Sequence, residues 1–166
     1  MGEIDFDSYI GRPTGEGVVT IERATVTSFA RSVLDDNPVY RNRDAALAAG
    51  FEDVPAPPTY FFSAAQNFGQ WEEEQPSDPT DGSNPMAEVM GGLMSSGGLI
   101  LHGEQEFSYH RPVVVGEKLH QRGVVKDIYQ KAAGERTMTF MVIETTYTDA
   151  SDEPVVTSTM NLLHRS

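Results

Sequence analysis

The last third of the chain most constrains its fold, because it consists of segments with strand composition separated by short turns. Residues with strand propensity are concentrated in three successive segments, 119–129, 136–148 and 155–163, after a shorter alternating stretch around Phe107 and Tyr109. Ala133 and Gly134 form one candidate turn, and residues 149–154 form another. Strands connected this closely run antiparallel, so the pattern predicts an antiparallel meander.

The first forty residues predict a short strand followed by a helix. Residues 17–22 have strand composition. Residues 24–34 place their apolar side chains at helical spacing, at Val26, Phe29, Ala30 and Val33. Asn37 and Pro38 end this helix, because the residue before a proline avoids the α conformation.

Two further helices are predicted before the strands. Residues 43–49 form a short one, with Asn42 as its N-cap and Gly50 at its end. Residues 59–71 are rich in aromatic side chains, and their apolar positions occur almost all round, as in a helix buried on most sides. Pro58 fits just outside the first turn of this helix.

Together these segments predict an α+β fold in which an antiparallel sheet wraps around a long central helix. The length of 166 residues suits one domain, residues 1–166. Residues 72–100 form a long connection that is polar at first and then Met-rich, with room for one helical turn or two at 86–94. A connection of this length is either a functional lid or a disordered segment.

Composition argues against several classes of function. The net charge of −13 and the pI near 4.5 disfavour binding to nucleic acid, whose phosphates would be repelled. No apolar run is long enough to span a membrane, and the acidic N-terminus lacks the pattern of a signal peptide. The chain has no cysteine, which excludes disulfides and thiolate chemistry. We therefore expect a cytoplasmic protein with no membrane or nucleic-acid partner.

Residues 34–40, Leu-Asp-Asp-Asn-Pro-Val-Tyr, carry the strongest functional signal. On their own, Asp35, Asn37 and Pro38 are common residues at the end of a helix. The segment also resembles the Asp-x-Asn-Pro-x-His motif of (R)-specific enoyl-thioester hydratases in the MaoC-like hydratase/dehydratase group. In that group the Asp and His activate water for addition to a 2-enoyl thioester, or for the reverse reaction. Here Tyr40 replaces the histidine, and a phenol with a pKa of about 10 is a poor substitute for an imidazole base.

The start of the central helix departs from the catalytic pattern in a second way. Residues 54–60 read Val-Pro-Ala-Pro-Pro-Thr-Tyr. Catalytic members tend to have His-Gly-Met at this place, with a backbone N–H that binds the thioester carbonyl. Proline has no N–H to donate, which leaves Thr59 and later residues as candidate donors. In this respect the chain resembles the N-terminal, non-catalytic type of MaoC half.

Residues 101–107, Leu-His-Gly-Glu-Gln-Glu-Phe, resemble a strand of the N-terminal MaoC dehydratase family, including its type I fatty-acid-synthase-like branch. His102 and Glu104 lie two residues apart, so a regular strand would direct both to one face. Such a pair could tune a pKa or hold a loop in place, although a lone histidine is more often structural. The remaining histidines are scattered along the chain, so no metal site is predicted.

Residues 127–131, Asp-Ile-Tyr-Gln-Lys, resemble an Asp-x-Tyr-x-Lys segment that the family commonly shows at a strand end. In this interpretation Lys131, together with Arg111 or Arg122, contacts CoA phosphates. The simpler interpretation is a solvated strand end.

The resemblance covers roughly residues 5–165 and implies a hot-dog fold. It implies a subunit of an (R)-specific enoyl-thioester hydratase or 3-hydroxyacyl-thioester dehydratase that shapes the acyl pocket and uses no cofactor or metal. The substrate is then an acyl-CoA or acyl-carrier-protein thioester. A MaoC-like hot-dog partner would supply the Asp/His pair in a homo- or heterodimer, and the open edges of the sheet favour such pairing.

The residues assigned to a degenerate catalytic pair are Asp35, Asn37, Tyr40, His102 and Glu104. Those assigned to substrate binding are Thr59, Tyr60, Phe62, Met90, Met94 and Lys131, although the aromatic helix and the methionines also suit an ordinary core. The alternatives are a self-sufficient homodimeric hydratase that uses these same candidates, a non-catalytic acyl-thioester-binding protein, and a hot-dog thioesterase.

Overall fold

The computed structural model describes residues 4–77, 80, 82–134 and 136–165. The helices are α1 (Arg23–Ser32), α2 (Arg43–Ala48), α3 (Tyr60–Asn67) and α4 (Pro85–Met94). The strands are β1 (Pro13–Thr20), β2 (Leu99–Tyr109), β3 (Lys118–Ala133), β4 (Arg136–Thr148) and β5 (Pro154–Arg165). They form one antiparallel sheet in the order β1-β3-β4-β5-β2, which confirms the predicted α+β fold. In the described ranges, no helix is long and apolar enough to cross a membrane.

The predicted meander is formed by β3, β4 and β5, which are neighbours in both sequence and space. The turn between β4 and β5 is closed by a hydrogen bond of 3.0 Å from the backbone N of Asp149 to the carbonyl of Glu153. β1 pairs with the free side of β3, and β2 pairs with the free side of β5. β2 is therefore an edge strand. Among the described residues, no strand pairs with the edge of β2 that points away from β5.

Local backbone contacts determine where α1 ends and α2 begins. α1 ends at Ser32, where Leu34 has a φ of +59° and the backbone N of Asp35 donates to the carbonyl of Ala30 at 2.9 Å, so the helix stops before it reaches Pro38; Pro38 instead begins a 3₁₀ helix over Pro38–Tyr40. The side chain of Asn42 accepts hydrogen bonds from the backbone N of Asp44 at 2.8 Å and of Ala45 at 3.1 Å, as an N-cap does. These contacts confirm the predicted boundary between the motif loop and α2.

The central helix is shorter than predicted. α3 has eight residues, so it is about 12 Å long and ends at Asn67 rather than at residue 71. The chain leaves the helix because the carbonyl of Gly69 accepts a hydrogen bond of 2.7 Å from the backbone N of Thr20, at the end of β1. Gly69 has φ of +69°, and a Cβ there would lie 2.0 Å from the carbonyl oxygen of Thr20. Only glycine fits this contact without a shift of the backbone.

A second helix covers the part of the sheet that α3 does not reach. Both helices lie on the same face, which we call the inner face. α3 packs against a core cluster that includes Val19, Leu119 and Tyr147. α4 packs against a second cluster, with Val125, Ile128, Met141 and Ile143 beneath Val89 and Met90. Full burial of each such side chain contributes about 1.5–3 kcal/mol.

The connection at residues 72–100 is more ordered than predicted, apart from residues 78, 79 and 81, which lie outside the described residues. Instead of one or two turns, its Met-rich part forms the ten-residue helix α4, whose N-cap Asn84 accepts a hydrogen bond of 2.9 Å from the backbone N of Ala87. Arg12 anchors α4 to the segment before β1 through an ion pair of 3.2 Å with Glu88. α4 is thus a packed wall of the inner face.

Candidate functional site

The predicted motif residues share one loop that is folded by its own side chains. The Asp35 carboxylate accepts a hydrogen bond of 2.9 Å from the backbone N of Asn37. The Asn37 side chain accepts one of 3.2 Å from the backbone N of Val39. The carbonyl of Tyr40 accepts a hydrogen bond of 3.2 Å from the hydroxyl of Thr27 in α1. These bonds hold the loop against the helix that precedes it.

Tyr40 occupies the position at which the hydratase motif has its histidine. Its side chain is half-buried, and this burial raises the pKa of the phenol above its usual value of about 10. The nearby carboxylate of Asp35 raises the pKa further, because a phenolate would be repelled by the negative charge. Tyr40 is therefore a neutral hydroxyl at physiological pH, which can donate or accept a hydrogen bond but cannot act as a general base.

Tyr40 lines an open cavity of about 420 Å³, which we call the Tyr40 cavity. Three elements contribute to its walls: the motif loop, the loop before α3 and the end of β2 with the residues after it. The other lining residues are Phe51, Pro55, Ala56, Pro58, Tyr109, His110, Arg111, Pro112 and Val113. Hydrogen bonds of 2.8 Å from Ala56 N to Val113 O and of 2.9 Å from Val115 N to Val54 O hold the two loops together.

Tyr109 closes the inner end of this cavity at the start of α3. Its hydroxyl donates a hydrogen bond to the carbonyl oxygen of Pro58. Desolvation raises the pKa of Tyr109, and the neighbouring phenols of Tyr147 and Tyr40 raise it further. Pro58 itself offers no N–H, and the backbone N of Tyr60 already donates to the carbonyl of Pro57 at 2.9 Å.

Thr59, which was predicted as a candidate donor, is exposed at the N-cap of α3, and its side chain makes no capping hydrogen bond. The backbone N of Phe62 donates to the carbonyl of Thr59 at 3.0 Å and is therefore already used. At the start of α3 the prolines offer no N–H, and the backbone N–H groups of Tyr60 and Phe62 are already used.

His110 and Arg111 both line the Tyr40 cavity; His110 was not selected from the sequence, whereas Arg111 was considered only for CoA phosphates. The Nε2 atom of His110 lies 3.1 Å from the hydroxyl oxygen of Thr157 in β5. Arg111 forms ion pairs with Glu117 at 2.7 Å and with Asp149 at 3.4 Å, and the hydrogen bond with Glu117 raises the pKa of its guanidinium. Both residues directly follow Tyr109 at the end of a predicted strand.

His102 and Glu104 do not form the predicted pair. A bulge at Gly103 interrupts β2, so His102 pairs with Leu162 of β5 whereas Glu104 pairs with Asn161. Because Leu162 and Asn161 are consecutive, they point to opposite faces of the sheet, and so do the two β2 residues. Glu104 accepts a hydrogen bond of 3.0 Å from Asn161 Nδ2 on the outer face. The prediction that both side chains share one face is therefore wrong.

His102 lies on the inner face, in contact with α3. Its ring packs edge-on against Phe62, with 5.3 Å between the ring centroids. Both side chains are exposed, and Phe62 retains 46% of its accessible surface. The expectation that the aromatic helix is buried on most sides is therefore wrong for the side of α3 that faces β2.

The other residues predicted to bind substrate are distributed over several regions. Tyr60 is fully buried in the core, where its hydroxyl lies 2.6 Å from that of Thr25. Met90 is buried against the sheet, whereas Met94 at the end of α4 is exposed. The ammonium of Lys131 lies on the outer face, 5.1 Å from the Tyr129 ring centroid and 5.2 Å from that of Phe140. The structure thus places Tyr60 and Met90 in the core and leaves Phe62 and Met94 accessible.

The basic residues considered for CoA phosphates are separated. Arg122 is paired with Glu16 at 3.6 Å and with Asp152 at 3.1 Å, and Arg111 is paired as described above. In the part of the chain that the structure describes, no three His, Asp or Glu side chains lie close enough together to hold a metal ion.

Comparison with known proteins agrees with this architecture. Residues 8–158 match the family described as FAS1-like, dehydratase domain region. The chain belongs to this FAS1-like dehydratase family. A UPF0336 protein of Parafrankia sp. is 32% identical over 158 residues, which cover 95% of this chain and 92% of that protein.

Solved structures show that the FAS1-like dehydratase chain has the hot-dog fold. The ChsH1–ChsH2 complex from Mycobacterium tuberculosis aligns with a TM-score of 0.70 and 21% identity, covering 91% of this chain and 83% of that one. The HadBC complex from the same organism, a (3R)-hydroxyacyl-ACP dehydratase, aligns with a TM-score of 0.67 and 20% identity, covering 93% and 96%. The resemblance to MaoC-like dehydratases is thereby confirmed for the fold.

The FAS1-like dehydratase chain exposes apolar side chains along its edge strand. Leu99 and Leu101 of β2 are exposed on the outer face of the sheet, and Phe62 of α3 is exposed beside the inner face of the same strand. An edge strand presents backbone N–H and C=O groups that can pair with another strand. Exposed apolar residues beside such an edge are typical of a surface that is covered in an assembly.

Proposed function

We propose that this FAS1-like dehydratase chain is the acyl-binding subunit of an (R)-specific enoyl-thioester hydratase or 3-hydroxyacyl-thioester dehydratase. A MaoC-like partner supplies the Asp/His pair that acts on the water molecule. The observation that carries the proposal is Tyr40, because the base position of the motif holds a phenol whose pKa is raised. Such a phenol remains protonated at neutral pH and cannot take the proton of an attacking water.

The start of α3 also supports the proposal that this chain binds the acyl group while the partner carries the catalytic groups. A catalytic subunit needs a donor that stabilises the oxyanion formed on the thioester carbonyl. Here Pro57 and Pro58 offer no N–H, and Tyr109 donates its hydroxyl to Pro58. The Tyr40 cavity can hold part of a thioester through its apolar walls and the Tyr40 hydroxyl, whereas the proton transfer and the oxyanion contact come from the partner.

The edge strand β2 supports a dimer with a hot-dog partner. Pairing of β2 with a strand of the partner would satisfy its outer backbone groups and cover Leu99, Leu101 and Phe62. The ChsH1–ChsH2 and HadBC structures are themselves complexes of two named subunits. We propose the same kind of assembly here, with an acyl-CoA or acyl-carrier-protein thioester as substrate and with Phe62 and Met94 along the acyl path.

A second candidate function rests on His110. Among the described residues that line the Tyr40 cavity, His110 is the only histidine, and histidine is the side chain that most often serves as a general base. If His110 served as the base, the chain would be a self-sufficient homodimeric hydratase. Its contact with Thr157 at 3.1 Å holds the ring beside β5. This second candidate predicts activity from the chain alone.

Hydration of crotonyl-CoA and of a longer 2-enoyl-CoA, followed by the loss of the enoyl absorbance, distinguishes the two candidates. We expect the purified chain alone to be inactive and the complex with its copurified MaoC-like partner to turn over. Activity of the lone chain that is abolished by His110→Ala would replace the first proposal by the second. Hydrolysis of the thioester without hydration would indicate a thioesterase instead.

A further inference from the structure

A polar cleft on the inner face, separate from the Tyr40 cavity, lies between α3 and α4. Its volume is about 260 Å³. The polar side chains that line it are Thr14, Gln66, Gln121, Thr145 and Tyr147. None of these five side chains makes a hydrogen bond with any other described residue. The apolar part of its wall consists of Met86, Ile143 and Met160.

Tyr147 is the most informative member of this group. It retains only 1% of its accessible surface, and its ring packs edge-on against Phe61 with 4.7 Å between centroids. Burial alone raises the pKa of Tyr147 to about 12, because no hydrogen bond offsets the desolvation of its phenol. Buried hydroxyl groups are nearly always hydrogen-bonded in folded proteins. Among the described residues, the buried side-chain atoms without a partner are Glu74 Oε2 and Asn161 Oδ1; the Tyr147 hydroxyl is not one of them, so it opens onto the cleft, where water or a ligand can bond to it.

Gly123 lies on the floor of the cleft, and Gly17 lies beside Gln121, one of the polar side chains of the cleft. A Cβ at Gly123 of β3 would lie 2.3 Å from the hydroxyl oxygen of Thr14. A Cβ at Gly17 of β1 would lie 2.7 Å from the amide nitrogen of Gln121. Any larger residue at these positions would displace a polar side chain of the cleft. At these glycine positions the sheet therefore carries no side chain, which leaves room for the polar groups of the cleft.

One side of α3 and the inner face of β2 lie along the edge of the sheet, between the Tyr40 cavity and this cleft. Phe62 and Gln66 are four residues apart in α3 and so lie on the same side of the helix. Phe62 contacts His102 of β2, and the inner face of β2 continues from His102 through Gln105 and Phe107 to Tyr109 in the Tyr40 cavity. Gln66 also lines the cleft. These residues mark the path by which an acyl chain would pass from the Tyr40 cavity to the cleft, and a partner strand beside β2 would cover it.

We propose that the cleft binds the far end of the acyl chain and selects a tail that carries a neutral oxygen substituent, either a hydroxyl or a keto group. This inference rests on the proposed function. A plain alkyl tail would leave the five polar side chains without partners, which disfavours its binding. A carboxylate tail is disfavoured as well, because no Lys or Arg is among the described residues that line the cleft. A neutral oxygen accepts a hydrogen bond from Tyr147 or a glutamine, and the methionines cover the carbons beside it.

The test compares the dissociation constants of octanoyl-CoA and 7-hydroxyoctanoyl-CoA, measured by calorimetry on the full chain and on its complex with the partner. We expect the hydroxylated ester to bind about three- to tenfold more tightly, as one additional hydrogen bond provides. Tyr147→Phe is expected to bring this ratio close to one. Tyr129→Phe, on the outer face, is the matched control and should leave the ratio unchanged.

The same variants report on the folded state without ligand. Because the Tyr147 hydroxyl has no partner among the described residues, Tyr147→Phe should unfold at the same temperature as the wild type or at a higher one. A lower melting temperature would mean that the hydroxyl is bonded within the protein, which overturns the inference. Equal binding of both esters also overturns it and leaves the proposed function intact. Binding of neither ester, by the chain or by the complex, contradicts the proposed function itself.

Discussion

The hydroxyl of Tyr109, at the end of β2, donates a hydrogen bond to the carbonyl oxygen of Pro58, at the start of α3. This contact joins the edge strand to the central helix and forms the inner end of the Tyr40 cavity. The bond uses the Tyr109 hydroxyl at the start of α3, where two prolines offer no N–H. In the proposed function, the oxyanion contact therefore comes from the partner.

Tyr109→Phe tests the structural part of this relationship. The substitution keeps the ring but removes the donor to Pro58, so we expect the free energy of unfolding to fall by about 1 kcal/mol. Urea unfolding measures the change, and Tyr129→Phe is the control because the Tyr129 ring lies on the outer face against Phe140. Equal stability of the two variants would show that the Tyr109 bond contributes nothing.

Gly69→Ala tests why the central helix is short. The new Cβ would lie 2.0 Å from the carbonyl oxygen of Thr20 at a φ of +69°, so we expect a loss of at least about 2 kcal/mol. Gly50→Ala is the control, because Gly50 has a φ of +91° but has no atom within 4 Å of the added Cβ. Gly50→Ala should lose only about 1 kcal/mol. Similar losses in both variants would mean that the contact between Gly69 and Thr20 does not limit α3.

Tyr147 gives the chain a specific sensitivity to alkaline pH. The folded state raises the pKa of Tyr147 from about 10 in the unfolded chain to about 12. Below pH 10 the phenol is neutral in both the folded and the unfolded chain, so the free energy of unfolding keeps its full value. As the pH rises from 10 through 12, the phenol ionises more readily in the unfolded chain, and the free energy of unfolding falls. We expect the wild type to lose about 2–3 kcal/mol more than Tyr147→Phe between these limits in denaturant titrations. Parallel pH profiles of the two proteins would contradict this expectation.

Leu101→Glu tests the edge of the sheet as an assembly surface. Leu101 lies on β2 and is exposed, so a carboxylate there should raise the dissociation constant of the dimer by about tenfold or more, measured by sedimentation. Leu34→Glu is the matched control, because Leu34 is 87% exposed in the loop after α1, far along the chain from the edge strand. If both substitutions weakened assembly equally, β2 would not be the interface.

The elements that sequence reasoning predicted correctly are those determined by neighbours along the chain. Asn42 caps α2 through hydrogen bonds from two backbone N atoms, those of Asp44 and Ala45, which follow it closely in the chain. Strand composition is equally local, so β3, β4 and β5 were predicted close to their observed bounds. The resemblance of residues 34–40 to the hydratase motif is local as well, and it identified Tyr40 as a cavity residue.

The features that were missed depend on contacts between distant segments. The end of α3 is determined by a hydrogen bond between Gly69 and Thr20, which are 49 positions apart (69 − 20). The bulge at Gly103 separates His102 from Glu104, and alternation along a regular strand cannot reveal it. His110 joins the Tyr40 cavity only because the loop before α3 packs against the residues that follow β2.

The measurement that tests the central claim most directly is the turnover number of the complex in which this chain carries Asp35→Asn and Tyr40→Phe, while the partner is unchanged. The account predicts that the complex hydrates 2-enoyl-CoA at close to the wild-type rate, because the base and the attacked water belong to the partner. Replacing the histidine of the partner's Asp/His motif with alanine should abolish the same activity. A large loss of turnover from the changes in this chain, with little effect of the change in the partner, would contradict the account.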